Sequence, residues 1–445
     1  MKLKKVIIKN YKNLKDVEIN FPDSNIIAFI GNNGSGKSNI LEVIAKVFAY
    51  TKNSLQKGKV VPPPNVDECE INYSLGGNDY ALKFSHGSVL IIKGIAEIVK
   101  KSNIEDVLPK SIFLYYAGET KRLAEIEEKI VDDRYSDKLK QNIFDGYKFI
   151  EYFSTRDLDI LLLTVAVFQE ELLNSIKDYL GDKSIYCPFN LILKNPTNNK
   201  TYSGGEYYGA VGFVRTFLDG FRKYVHRTEE RKDDYIMSFV DIDKIKTLTK
   251  TPSEFFAKMK ALKNSGYLDR VVINFHKEFK EPVLLDDISE GEKQILLISL
   301  LTRITEQEDC LYLFDECDAY LHLEWQRKFS SVFETLTTNG QILITTHSPS
   351  TISGLRSENV FKVKDGSIDL LISETYNRSL DEIMEENMDI SLRSPEYVQL
   401  EKDFRNAVVH NKKDIALEKL ELIKRIVGED DPFFITASMA LNRME

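Results

Sequence analysis

Residues Gly31-Asn32-Asn33-Gly34-Ser35-Gly36-Lys37-Ser38, followed by Asn39, satisfy the spacing G-x-x-x-x-G-K-[ST]. Glycines at 31, 34 and 36 open main-chain conformations closed to other residues, so successive N–H groups can converge on phosphate oxygens. Lys37 would then reach the β- and γ-phosphates of a triphosphate, and Ser38 would ligate Mg²⁺. The flanks suit this chemistry: residues 25–30 read as a buried strand and residues 39–45 as a helix whose positive end faces the loop. A plain surface turn rich in Gly, Ser and Asn is the weaker reading.

A second metal ligand is expected at the end of another buried strand. Residues 310–314 are an apolar run that finishes in Asp315 and Glu316. Asp315 would hold Mg²⁺ through water and Glu316 would polarise the attacking water. A third buried strand, residues 341–346, delivers His347 one strand beyond the acids. There it would sense a γ-phosphate, the plain alternative being a satisfied core histidine. Ser289 is a good N-cap for a helix over residues 292–304, and its hydroxyl with the exposed N–H groups behind it makes an anion site. Taken alone, that segment is only a variant of the capping box.

In this order the segments resemble the ATP-binding-cassette ATPases, in the soluble branch of RecF, SMC and OLD-like proteins. Residues 2–14 resemble that branch's first strand and turn, which meets the nucleotide base. Residues 287–294 resemble its signature, with Ser289, Glu290, Gly291 and Glu292, and residues 315–322 its Walker B and D-loop, with Asp318. Residues 345–349 look like its switch histidine. The resemblance implies ATP and Mg²⁺ as cofactors and a homodimer through the heads, with higher oligomers open. In it, each Ser289 touches the γ-phosphate held by the other copy's lysine. Cys317 stands where proline is common and Glu290 where glycine is frequent, and neither change removes a ligand. Residues 114–122 resemble the strand-to-lobe switch of OLD-like proteins, with Glu119 or Thr120 in place of glutamine, although an ordinary strand end explains them too.

The positioning elements follow from length and punctuation. At 445 residues the chain exceeds one typical core. A first α/β segment ends near Lys59. Pro62-Pro63-Pro64 then turns the chain into two strands, 68–73 and 80–84, around Gly76-Gly77-Asn78, which would form a small antiparallel subdomain. Residues 121–180 read as helices, with the apolar run 157–167 a packed helix. Residues 251–254 look like a helix start within 182–270, the least interpretable stretch. The expected fold class is α/β: a phosphate-loop head with a mixed sheet and an antiparallel subdomain (1–118 and 271–370), an inserted, mainly helical lobe (119–270), and a helical C-terminal extension (371–445). Asp157-x-Asp159 and Asp241-x-Asp243 lack a matching acid cluster and read as helix-surface acids.

Hydrophobic residues make up 42% and charged residues 29% of the chain, whose net charge is −9. An acidic balance argues against a uniformly basic nucleic-acid binder. It leaves open a local DNA contact at Lys121-Arg122, Arg222-Lys223, His226-Arg227 and Arg231-Lys232, against the plainer reading of a solvated face. No apolar run is long enough to span a bilayer and the N-terminus lacks a secretory signal, so a cytoplasmic location is expected. The four cysteines, Cys69, Cys187, Cys310 and Cys317, form no C-x-x-C pair and read as free thiols.

Beyond Ile352 the chain has no D-x-D, unlike OLD-like nucleases. Helices are expected at 395–409 and 413–427, the latter amphipathic through Ile415, Leu417, Leu420, Leu422, Ile423 and Ile426 and buried against the head or free to dock an effector. Such a tail resembles that of Septu-type and retron-associated anti-phage ATPases, whose nuclease is a separate polypeptide. The expected function is therefore an ATPase that dimerises head to head and regulates a nuclease effector in phage defence. Two alternatives stand beside it: a RecF-like or SMC-like genome-maintenance ATPase, and a nucleotide-clamped scaffold with little turnover.

Overall fold

A computed structural model describes residues 1–57, 61–85, 88–94, 97–98, 106–118, 121–129, 133–168, 183–196, 206–231, 234–277, 285–305, 309–334, 340–388, 390–391, 393–428 and 430–443. Glu119 and Thr120, the candidates for the strand-to-lobe switch, and Lys232 lie outside them. The chain divides into two compact units, Met1–Arg378 and Ser379–Glu445.

The first unit is organised around a seven-stranded sheet. Its order is Ser367–Leu370, Val360–Lys364, Ile26–Ile30, Gln341–Thr346, Cys310–Asp315, Ser111–Tyr116 and Ile150–Phe153. All neighbours are parallel except the first pair, which is an antiparallel hairpin. Three central strands, Ile26–Ile30, Cys310–Asp315 and Gln341–Thr346, are buried along their whole length, as expected when both faces of a parallel sheet are covered. The strand of His347 lies one strand from the acids, between the acid strand and the phosphate-loop strand. Parallel pairing places Gly31, Glu316 and His347 at one carboxyl edge, where open α/β sheets bind ligands.

A six-stranded antiparallel sheet carries the N-terminal hairpin, Lys2–Tyr11 with Leu14–Asn20, and the expected pair Glu68–Leu75 and Asn78–Ser85. Gly76 and Gly77 both adopt positive φ, 54° and 76°, as a two-residue hairpin turn requires. The phosphate-loop helix, Lys37–Lys57, fills the space between the sheets with Ile40, Leu41, Ile44 and Phe48, all in one core.

The inserted region has the expected helices and, beside them, a sheet that the sequence reading did not place. Four antiparallel strands, Arg227–Glu230, Asp234–Phe239, Lys183–Lys194 and Leu268–Lys277, form a third sheet beside the helices Leu158–Val167, Gly212–Arg222 and Pro252–Asn264. Ile150–Phe153, within the stretch read as helices, is the edge strand of the head sheet. It is buried on both faces and so lacks the alternation that marks a strand.

Asp157 and Asp159 are not surface acids: each is 4% exposed. Lys260 Nζ lies 3.0 Å from Asp157 and Lys263 Nζ 2.7 Å from Asp159, while the Val271 N–H donates to Asp159 at 2.8 Å. Burial would discharge Lys260, but Asp157, Glu151 and Glu127 outweigh it and raise its pKa. Asp241 does sit at the surface, paired with Lys244.

The second unit is a small helical bundle. Ser394 caps Pro395–Val409 by accepting from the Tyr397 N–H at 3.2 Å. Tyr397, Phe404, Ala416, Ile423, Ala437 and Leu441 make its core. Beyond the expected helix Lys413–Val427 a further helix, Phe433–Leu441, follows, and Ile415, Leu417 and Ile426 are exposed.

Candidate active site

The phosphate loop begins where the Ile26–Ile30 strand ends, and its shape explains its glycines. Gly31, Gly34 and Gly36 have φ of 151°, 80° and 117°. A Cβ on Gly31 would stand 2.1 Å from the Val363 carbonyl oxygen, so the loop can lie against the neighbouring strand only without a side chain there. Asn13 braces the loop from the N-terminal hairpin: its Nδ2 donates to the Ser35 carbonyl at 2.8 Å, and its Oδ1 accepts from Asn39 at 2.7 Å.

Lys37 is 4% exposed and folds onto its own loop, donating to the carbonyls of Gly31 at 2.9 Å and Asn32 at 3.1 Å. Burial lowers its pKa to about 8, against the pull of Glu316 and Asp315. Ser38 Oγ donates to Asp315 Oδ1 at 2.9 Å. The Thr345 hydroxyl donates to the same carboxylate and accepts from the Glu316 N–H at 2.9 Å, so one residue orients both acids. Glu316 takes a left-handed conformation, φ 51°, rare for a residue with a side chain, and the Thr345 bond holds it there.

Burial raises the pKa of Asp315 and of Glu316, and for Glu316 the adjacent Asp315 adds to it. A raised carboxylate is a better proton acceptor. His347 Nε2 lies 3.8 Å from Glu316 Oε1. Burial, then Lys37, holds the imidazole down to about 4, so it is neutral near pH 7. Asn32, Asn33, Glu316, Asp318, His347 and Ser348 line an open cleft of about 640 Å³. Asp318, 3% exposed, accepts from the hydroxyls of Thr346 and Thr351 and ties the turn after the acids to the His347 strand.

Gly31 to Asn39, Asp315, Glu316, Asp318 and His347 therefore come together within one chain. Ser289 is the exposed N-cap of the helix Glu290–Ile304. It closes a capping box: the Glu292 N–H donates to Ser289 Oγ at 3.3 Å and the Ser289 N–H donates to the Glu292 carboxylate at 3.1 Å. Gly291 abuts the turn after the acids, where a Cβ would stand 2.5 Å from the Tyr320 carbonyl oxygen.

The residues fit Mg²⁺ in the manner of phosphate-loop proteins. Among the described residues no group of three or more His, Cys, Asp or Glu could hold a metal by itself. A hydroxyl and one carboxylate in mutual contact suit a cation that takes its remaining ligands from phosphates and water.

Sequence reading missed Thr345, Asn13 and Glu42. Adjacent threonines in a fully buried strand must find partners, and that was the available signal for Thr345. Lys121-Arg122, read as a possible patch for nucleic acid, is half explained: Arg122 donates to Asn39 Oδ1 at 2.5 Å and to Glu42 at 3.0 Å. Burial alone would raise Glu42, but hydrogen bonds from Lys12, Lys46 and Tyr11 hold it at about 2. Arg222 pairs with Glu206 and Arg231 with Glu229. Cys69 and Cys317 are buried free thiols, Cys310 is buried in the acid strand, and Cys187 falls where no side chain is described. No helix among the described residues is long and apolar enough to cross a membrane.

The model of the AAA ATPase domain family matches residues 1–352. The Retron Vc95 probable ATPase of Vibrio cholerae serotype O1 biovar El Tor is 24% identical over 411 residues, covering 81% of this chain and 73% of its own length. The Retron Ec83 probable ATPase of Escherichia coli is 21% identical over 449 residues, covering 91% of this chain and 80% of its own. Among solved structures, the SMC head domain from Thermotoga maritima aligns with 84% of this chain and 100% of its own at 14% identity, with a TM-score of 0.38.

Proposed function

The chain belongs to the AAA ATPase domain family, and on that premise we propose that it binds and hydrolyses ATP with Mg²⁺ as a head-to-head homodimer, controlling a separate nuclease effector in phage defence. The observation that carries the nucleotide part is the contact of Ser38 with Asp315 at the carboxyl edge of the sheet. Likeness to two retron ATPases supports the defence setting.

In this reading the loop N–H groups and Lys37 bind the triphosphate, while Ser38 and Asp315 hold Mg²⁺, which neutralises charge on the β- and γ-phosphates when bound. Glu316 takes a proton from water as the water oxygen bonds to the γ-phosphorus and the bond to the β–γ bridging oxygen breaks, giving ADP and phosphate. Neutral His347 donates a hydrogen bond toward the γ-phosphate. Ser289, with the helix end at Glu290, Gly291 and Glu292, caps the triphosphate bound by the other copy, and Asp318 fixes the D-loop.

Phosphate release by the full-length protein tests turnover, and sedimentation with ATP tests assembly. Glu316→Gln should bind ATP, turn over at least about a hundredfold more slowly, and accumulate as a dimer. A variant that stays monomeric at saturating ATP refutes the shared site. Copurification of a nuclease from the native operon tests the effector.

A further inference from the structure

Gln294, one turn into the helix Glu290–Ile304, has a completely buried side chain. Its Oε1 accepts from the Tyr320 N–H at 3.3 Å, while its Nε2 has no hydrogen-bond partner. Burial pushes the Tyr115 hydroxyl to a high pKa, and its interaction with the Gln294 side chain draws it down. A buried amide without a well-aligned donor partner is costly, so an apolar residue of this size would be the cheaper filler unless the carbonyl end has a task.

That task is legible one turn earlier. Gly291 leaves no room for a Cβ against the Tyr320 carbonyl. The helix thus grips the same residue at both ends, its N–H by a side-chain amide and its C=O by close approach. Tyr320 belongs to the turn that starts at the acids: the Ala319 N–H donates to the Glu316 carbonyl at 3.1 Å and the Leu321 N–H to the Asp318 carbonyl at 3.1 Å. The Tyr320 side chain itself is 55% exposed, so what holds this residue is its main chain.

We propose that Gln294 is a positioning residue which, with Gly291, locks the Ser289 helix end to the turn carrying Asp318 and Tyr320, so that the two move as one piece. The inference rests on the shared-site reading, in which Ser289 faces one nucleotide while the turn follows the acids that act on another. Rigid coupling would let each site report its occupancy to the other without moving Lys37 or Ser38. Gln294 touches no reacting atom, and its effect is on geometry.

The test uses the full-length protein with Gln294→Met, which keeps volume and removes the amide, and Gly291→Ala, which pushes the Tyr320 peptide from its other side. Hydrogen–deuterium exchange of peptides over residues 316–322 should speed up about tenfold in both variants. kcat should fall about tenfold, with the affinity of the Gln294→Met variant for a non-hydrolysable ATP analogue within about twofold of wild type. Unchanged exchange overturns the proposal whatever kcat does, and faster exchange with unchanged kcat overturns the positioning role. If the wild type itself does not turn over ATP, the proposed function has failed separately, and exchange alone then upholds or overturns the lock.

Discussion

Ser38 and Asp315, 277 residues apart in the chain, meet at 2.9 Å through a hydroxyl-to-carboxylate hydrogen bond. Asp315→Asn keeps the shape and the Ser38 contact but removes the charge a divalent cation needs. The Mg²⁺ concentration for half-maximal phosphate release should rise at least about tenfold, with metal-free nucleotide binding little changed. An unshifted Mg²⁺ titration would show that the cation lies elsewhere.

Lys37 carries a pH signature. Burial lowers its pKa to about 8 from an ordinary 10.5, so between those values the unfolded chain holds a proton that the folded chain does not. Stability therefore rises with pH across that window. Relative to Lys37→Met, the wild type should gain up to about 3 kcal/mol from pH 8 to 10.5, read by denaturant titration at several pH values. Equal slopes for the two proteins would place the lysine in water.

For His347 the sign is the same and the window different. With its pKa held down to about 4 from 6.5, the free protein loses this contribution as pH falls from 6.5 toward 4. Its imidazole resonances should titrate near pH 4 and show no step between pH 6 and 7.5. A midpoint near 6.5 would mean that the ring is solvated and takes no neutral part in sensing phosphate.

The buried pair Lys260 and Asp157 predicts strong coupling within the inserted region. Lys260→Met strands a buried carboxylate and should cost about 3–5 kcal/mol, whereas the double change Lys260→Met, Asp157→Leu should recover most of that loss. A double-mutant cycle on unfolding free energies reads the coupling. Additive effects would contradict the pairing.

The hairpin at Gly76-Gly77, the helix after Lys37 and the cap at Ser289 are short-range structures, fixed by glycine freedom and side-chain caps within a few positions. The edge strand Ile150–Phe153 was misread because a strand buried on both faces has no alternation. Asp159 was misread because Lys263, 104 residues away, neutralises it. Without that partner an acid belongs at the surface.

The sequence by itself determined local features: a glycine-rich loop before a helix, a buried strand that ends in two acids, and a capped helix start at Ser289. Each depends on near neighbours, and near neighbours are written in order along the chain. Only the tertiary structure decided that the His347 strand lies between the other two, that Thr345 orients both acids, and that the Ser289 helix holds Tyr320 by its main chain. Those relations depend on which distant segments bury their apolar faces together, and pairing over hundreds of residues leaves no local period to read.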